Sequence, residues 1–219
     1  VYTASTSPEF QVRKVHVYGA SLLSQADVEQ AAAVIGANVF WVDHAAAEAR
    51  LQSLPLVVHA EVTPVLPDTV NVRLQERQPA AFWVSGDQTY VVDKDGVVLR
   101  PLAEDEGVFA DQPLPTVAEV DGQPLNPGDV VDASALTTWT RLARLLPGAG
   151  VKPKAAQWSA DFGLEVQTQE GWRARFNSAG GENLERQVDS LRAIRDYLAQ
   201  NKTPAEVIDV RFGDRPYYR

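Results

Sequence analysis

The chain has 219 residues and contains neither cysteine nor methionine. Without cysteine there are no disulfides, no thiolate metal sites and no cysteine nucleophile. Without an initiator, and with Val1 at its start, the chain reads as a fragment or a processed product. No stretch approaches the roughly 18 apolar residues of a membrane helix, and none has the plan of a signal peptide. Any anchor is therefore expected upstream of residue 1. Positive charge is in deficit, with a formal net charge of −9. That argues against nucleic acid as a partner and against docking on anionic lipid heads.

Motifs that carry chemistry are also missing. There is no G-x-S-x-G, no phosphate-binding G-x-x-x-x-G-K-[ST] and no G-x-G-x-x-G. The only histidines, His16, His44 and His59, fall on different expected elements with no pair at helical spacing. No metal site is expected from them. Asp93-Lys94-Asp95-Gly96 has the look of a calcium loop, but the EF-hand register would set its first ligand at Val91 and its last at Leu102. It reads as a hairpin turn. Glu104-Asp105-Glu106, on a proline-rich stretch, reads as a solvated loop. A chain of this size with no nucleophile, metal or cofactor site reads as a binding or scaffold module, not an enzyme, and no cofactor is expected.

What the sequence does have is clear periodicity. Residues 1–9 are small and polar and read as a tether. A strand is expected over Phe10–Tyr18, ended by Gly19. Ser24 and Asp27 form a capping-box pattern at the start of a helix carrying Val28, Ala31/Ala32 and Ile35, with Gly36 as its C-cap. Asp43 caps a second helix with Ala47, Leu51 and Leu54 on one stripe, stopped by Pro55. A strand over Leu56–Thr63 is expected to turn Val58, Ala60 and Val62 to one face. After the Pro67-Asp68 turn, Val70, Val72 and Leu74 alternate with Thr69, Asn71, Arg73 and Gln75 in the next strand.

Beyond Pro79 the rhythm becomes mostly β. Ala81–Val84, Thr89–Val92 and Val97–Leu99 read as a meander, and Thr116–Val120 as a short strand. Asp132 caps a helix with Leu136, Trp139, Leu142/Ala143 and Leu146, closed by Pro147-Gly148. A second meander follows over Ala155–Ser159, Leu164–Thr168 and Trp172–Phe176. The strongest stripe, Leu184, Val188, Leu191, Ile194 and Leu198, predicts a helix from about Glu182 to Asn201, with Glu182/Arg186 and Arg192/Asp196 paired on its wet side. Last comes a strand over Glu206–Phe212, with Ile208, Val210 and Phe212 on one face. The expected class is α+β, a β-α-α-β-β unit followed by a mostly antiparallel β-domain with a long helix near the C-terminus. The expected boundaries are 1–9 for the tether, 10–78 for the first domain and 79–219 for the second, with Glu76, Arg77, Gln78 and Pro79 as an inter-domain hinge.

Several short signatures stand in order: Val17-Tyr18-Gly19, Gly36-Ala37-Asn38-Val39-Phe40, Leu51-Gln52-Ser53-Leu54-Pro55, Leu66-Pro67-Asp68, Glu76-Arg77-Gln78-Pro79-Ala80-Ala81, Tyr90–Gly96 and Ile208-Asp209-Val210-Arg211. In this set the chain, from Phe10 on, resembles the extracytoplasmic region of the FtsQ/DivIB family of bacterial cell-division proteins, with a POTRA domain followed by a β-domain. The resemblance implies a non-enzymatic scaffold of the division machinery, held by one membrane helix upstream of residue 1, with this region on the extracytoplasmic side. It implies FtsB/DivIC-like and FtsL-like membrane partners, other division proteins reached through the POTRA-like domain, and a part in regulating septal peptidoglycan synthesis. By the same resemblance the last strand accepts a partner strand. That places partner binding at Ile208, Asp209, Val210, Arg211 and Phe212, with Arg211 pairing a partner carboxylate and Phe212 or Tyr217 as aromatic anchors. Pro216 puts pairing beyond Arg215 in question, because proline cannot donate to a ladder. Two other readings stand beside this one. One is a POTRA module of outer-membrane assembly or secretion. The other is a hydrolase using Glu104 with Asp93 or Asp161.

Overall fold

A computed structural model describes residues 7–102, 114–177, 183–212 and 215–219. The chain divides into two units, Val1–Gln78 and Pro79–Arg219. The acidic run at 104–106, Glu182 and most of the tether lie outside the described residues.

In the first unit a single 3-10 turn, Pro8–Phe10, leads into β1 (Lys14–Tyr18), so the expected strand is shorter by its first four residues. Helix α1 (Gln25–Ala32) starts on a complete capping box: the Ser24 side chain accepts from the Asp27 amide and Asp27 reaches back to the Ser24 amide. Such a cap is worth about 1 kcal/mol. The helix stops before the expected Ile35-Gly36 end. Ala33 takes the left-handed conformation there, Val34 enters the core, and the Gly36 amide donates to Val12, so Ile35 is turned outward. Pairing with the segment before β1 thus overrides the helical stripe. The exposed α1 carbonyls of Ala31 and Ala32 accept from Arg50 of α2 (His44–Gln52), which Asp43 caps.

Strands β2 (Val57–Val65) and β3 (Thr69–Glu76) pair antiparallel, and β1 lies parallel to β3, giving the order β1-β3-β2. Val70, Val72 and Leu74 are buried, as the alternation requires. Val58 is not. A bulge between Val57 and His59 inserts one residue, so Val57 faces the core and Val58 is left half-exposed. The core of this unit joins Val15, Val28, Ala32, Ala47, Leu51, Ala60, Val62 and the β3 valines.

The second unit is one nine-stranded sheet. Strands β4 (Pro79–Ser85), β5 (Gln88–Asp93) and β6 (Val98–Pro101) form the first meander. Strands β8 (Pro153–Ser159), β9 (Gly163–Thr168) and β10 (Arg173–Phe176) form the second. The short β7 (Thr116–Glu119) joins the two by lying parallel to both β4 and β8. Helices α3 (Ala133–Gly148) and α4 (Leu184–Asn201) pack their apolar stripes on one face, over Trp83, Val166, Ala174 and Phe176. Asp132 caps α3 as its position predicts. The wet side of α4 is wired differently from the expected i,i+4 pattern. Arg192 donates to the Gly148 carbonyl, Arg195 pairs with Asp196, and Glu185 pairs with Arg141 of α3.

The chain finishes with β11 (Val207–Asp209), parallel to β10, and β12 (Tyr217–Tyr218), antiparallel to β11. The full order is β12-β11-β10-β9-β8-β7-β4-β5-β6. Pairing beyond Arg215 does form.

Candidate partner-binding site

A sheet can accept a strand only where an edge is open, so the edges decide where the site lies. In the first unit the outer edge of β2 is closed by α2. The Val62 amide donates to Glu48 at 2.9 Å, Gln52 donates to the Ala60 carbonyl at 3.3 Å, and Pro64 has no donor. On β1, the outward Val15 carbonyl accepts from the Gln25 side chain. In the second unit the outer edge of β6 is covered by the segment before α3: Val98 donates to Asp129, Gly128 donates to Val98, and Val131 donates to Gly96. Among the described residues, the remaining edge of the nine-stranded sheet is β12.

The register fixes what β12 presents. Val207 and Arg219 exchange both backbone hydrogen bonds at 3.1 Å. Tyr218, opposite Ile208, therefore occupies the next, non-bonded position, and its own N–H and C=O point away from the sheet. Pro216 brings a carbonyl and no donor.

Side chains divide by face. Ile208 and Val210 are buried in the core, and the Ile208 row runs Val166, Ala174, Ile208, Tyr218. A groove beside it is lined by Trp172, Leu198, Ala199, Pro204, Ala205 and Ile208, with Lys202 and Arg195 at its rim. The opposite face carries a polar row, Glu165, Arg175, Asp209, Tyr217, one residue from each of β9 to β12. Arg175 donates to Glu165 at 2.7 Å and stacks on Phe162 at 4.8 Å.

Arg211 does not stand ready for a partner carboxylate. Its Nε and Nη2 donate to Asp209 at 3.0 and 2.7 Å, and its amide donates to Asp209 as well. Asp209 is fully buried. Burial works to push its carboxyl up. The Arg211 donors, the Arg211 charge and the Tyr217 hydroxyl outweigh that, so the net shift is downward, and the Arg211 guanidinium is shifted upward in turn. The pair is a staple at the end of β11. Phe212 does not share the core face with Ile208 and Val210. The chain turns at residues 211–212, leaving Phe212 56% exposed, stacked on Tyr217 at 6.2 Å and under Arg211 at 5.0 Å.

Of the expected partner-binding residues, the structure thus sets Ile208 and Val210 in the core, Asp209 and Arg211 in the staple, and Phe212 and Tyr217 in an exposed aromatic pair. Tyr218 was missed. Its strand is too short to show alternation, and only the turn residues Gly213-Asp214 before an aromatic pair hinted at a returning strand. Among the expected hinge residues, Glu76 is buried and held by Ser21, Leu22 and Leu23, and the Arg77 amide donates to Leu56. Pro79 already pairs with Asp93 in β4. Of the four expected hinge residues, Gln78 alone lies outside both β3 and β4 with no backbone pairing among the described residues.

The carboxylates of the hydrolase reading do different work. Asp93 accepts from the Asp95 and Val97 amides of its own turn, Asp161 sits in the β8–β9 turn, and Glu104 lies outside the described residues. Among the described residues no group of three or more metal-binding side chains converges.

Sequence comparison speaks to both units. Residues 10–77 match the family model of the FtsQ-type POTRA domain, and residues 81–211 match that of the FtsQ/DivIB cell-division protein C-terminal region. The chain is 34% identical over 218 residues to the cell division protein FtsQ of Chloroflexus aurantiacus, covering 97% of this chain and 75% of that protein. It is 30% identical over 214 residues to the FtsQ of Chloroflexus aggregans, with coverage of 97% and 75%. To the FtsQ of Myxococcus fulvus it is 28% identical over 214 residues, with coverage of 96% and 73%. With an FtsQ-type first domain and the family's own C-terminal domain in one chain, the outer-membrane and secretion reading falls away, and the chain belongs to the FtsQ/DivIB family of bacterial cell-division proteins.

Proposed function

We propose that the chain is the extracytoplasmic, non-enzymatic part of a membrane-anchored division scaffold, and that the outer edge of β12 receives a strand from an FtsB/DivIC-like partner. The observation that carries this reading is the edge itself, which is open at Tyr218, backed by the stapled β11 and flanked by Phe212, Tyr217, Arg215 and Arg219. The partner strand adds backbone hydrogen bonds, and its side chains meet an aromatic and cationic border. An acidic-aromatic segment fits that border. An FtsL-like protein joins through the same assembly, other division proteins meet the POTRA-like domain, and the whole helps regulate septal peptidoglycan synthesis. In this reading residues 10–78 and 79–219 act as separate domains, behind a tether of residues 1–9 and a single membrane helix upstream.

The test is titration of the FtsB/DivIC-like partner against the wild-type chain and Tyr218→Pro. The substitution removes the outward donor of β12 and bars a new ladder. Circular dichroism of the chain should be unchanged and affinity should fall by about tenfold or more, since 1.4 kcal/mol is tenfold. Equal affinity would remove β12 from the site.

A further inference from the structure

The first unit exposes large apolar side chains, and most of them gather at one end. The register sets the start of β1 and the end of β2 at the same end of the sheet, on either side of β3, because Lys14 faces Thr69 and Thr69 faces Val65. Leu66, at the turn just beyond, is 59% exposed, and Val65 is exposed too. The chain reaches this end from residues 8–12. That segment is bonded to the turn after α1: Val39 donates to Phe10 at 2.8 Å, Val12 to Ala37 at 2.9 Å and Gly36 to Val12 at 2.9 Å. The turn carries Trp41, 73% exposed, with Phe40 and Ile35 also exposed.

This is not a loose loop with stray apolar residues. Trp41 donates its amide to the Asn38 carbonyl, Phe40 donates its own to the Asn38 side chain, and the Phe40 ring meets Phe10 at 5.1 Å. The backbone is held while the aromatic rings are given to solvent. Single exposed apolar residues are ordinary, but a held cluster marks a contact surface.

The position of the cluster points to its occupant. Phe10 lies against Phe40, so the described chain begins, at Ser7, close to the aromatic turn. Residues 1–6 span at most about 20 Å. If residues 1–9 are the tether to the membrane helix, as in the proposed function, a link of that length would keep the turn within reach of the bilayer. Trp and Phe, with Leu66 toward the same end of the unit and Arg13 and Lys14 close by in sequence, make up the side-chain chemistry of the lipid–water interface. The net charge of −9 opposes attraction by charge, so contact depends on the rings and not on anionic lipid.

We propose that this end of the first unit, through Phe40, Trp41 and Leu66, inserts into the interfacial layer of the membrane that anchors the chain. The inference rests on the anchored reading above. It turns the tether from a free leash into a short link to a docked domain.

The test uses the chain with an N-terminal His tag bound to phosphatidylcholine vesicles carrying nickel-chelating lipid, with acyl chains either plain or brominated near the headgroup. Trp83 and Trp139 are buried and Trp158 and Trp172 are partly shielded, so the difference between wild type and Trp41→Phe reports Trp41. That difference emission should shift to the blue and be quenched on brominated vesicles, because an interfacial ring sits at headgroup level beside the bromines. No quenching, or equal loss in Trp41→Phe, overturns the proposal. A protein occupant of the same surface would give the first of these results. The chelating lipid replaces the natural anchor, so a negative result counts against lipid contact alone. The anchor is tested separately, by whether the full-length protein resists alkaline extraction from cell membranes.

Discussion

Replacing Glu76 by Gln should loosen the first unit and remove part of its acid sensitivity. Glu76 is the last residue of β3 and is buried. Its Oε2 accepts from the Ser21 amide at 2.9 Å, the Ser21 hydroxyl at 2.7 Å and the Leu22 amide at 2.9 Å, and its Oε1 accepts from Leu23 at 2.9 Å. A glutamine amide keeps one acceptor oxygen and turns an NH2 on the remaining amide donor. Each hydrogen bond to a charged group is worth about 1.5–3 kcal/mol against about 0.5–1.5 for a neutral one, and a stranded buried donor adds its desolvation. The expected loss is about 2–4 kcal/mol. For a domain this size, 1 kcal/mol moves Tm by roughly 4–8 °C. The sign of the pH dependence follows from the shift. Burial pushes the Glu76 carboxyl up, but the donors from Leu23, Ser21 and Leu22 outweigh it and the net pKa is lowered. Between the ordinary glutamate value and this lowered one, the unfolded chain binds the extra proton. The contribution is therefore full above the ordinary value and is lost as pH falls through the lowered one. Urea unfolding, with hydrogen exchange at Ser21–Leu23 as the local probe, should show a gap between wild type and variant that is wide at neutral pH and narrow in acid. A gap below about 0.5 kcal/mol at neutral pH, or one that stays constant into acid, would refute the reasoning.

Arg211→Glu should destabilise the second unit by about 3–5 kcal/mol in urea unfolding, because it strips a buried carboxylate of its partner and adds a like charge. Loss of partner binding in that variant therefore reports folding as well as contact. Glu48→Ala should uncover the Val62 amide on the β2 edge, costing about 1 kcal/mol and raising self-association in sedimentation, whereas an unchanged monomer would show that Glu48 is not what guards the edge.

Local signals were legible and long-range ones were not. Ser24 with Asp27, Asp43 and Asp132 each mark a helix start by chemistry confined to one turn, and each caps in the structure. Val70, Val72 and Leu74 alternate with polar residues because one face of β3 packs on the core and the other does not. The failures share a cause, namely a partner distant in sequence. Ala33 turns left-handed so that Gly36 can meet Val12, and Val58 is ejected by a bulge against β3. Two expected meanders become one sheet because β7 slots between β4 and β8. At the candidate site, the alternation of Ile208 and Val210 was readable. The Asp209–Arg211 staple was not, because Asp209 at a strand position normally signals a wet face. Here the polar row from β9 to β12 and the Arg211 clamp bury it.

The smallness of β12 constrains what binds there. Two residues face β11, and only Tyr218 turns both backbone groups outward. With the Pro216 carbonyl, a docked strand gains two or three backbone hydrogen bonds, about 0.5–1.5 kcal/mol each. That is too little to hold a partner, and backbone pairing alone carries no specificity. Most of the affinity must come from side chains: the Phe212–Tyr217 pair, the arginines at 215 and 219, and the groove beside Ile208. The same brevity also limits pairing between copies: a long, flat, apolar edge would recruit other copies, whereas two residues bordered by Pro216 and two arginines offer little to pair with. In the proposed reading the ladder would set the register of the partner strand and the border would select its chemistry, while the Asp209–Arg211 staple holds β11 in place without the partner.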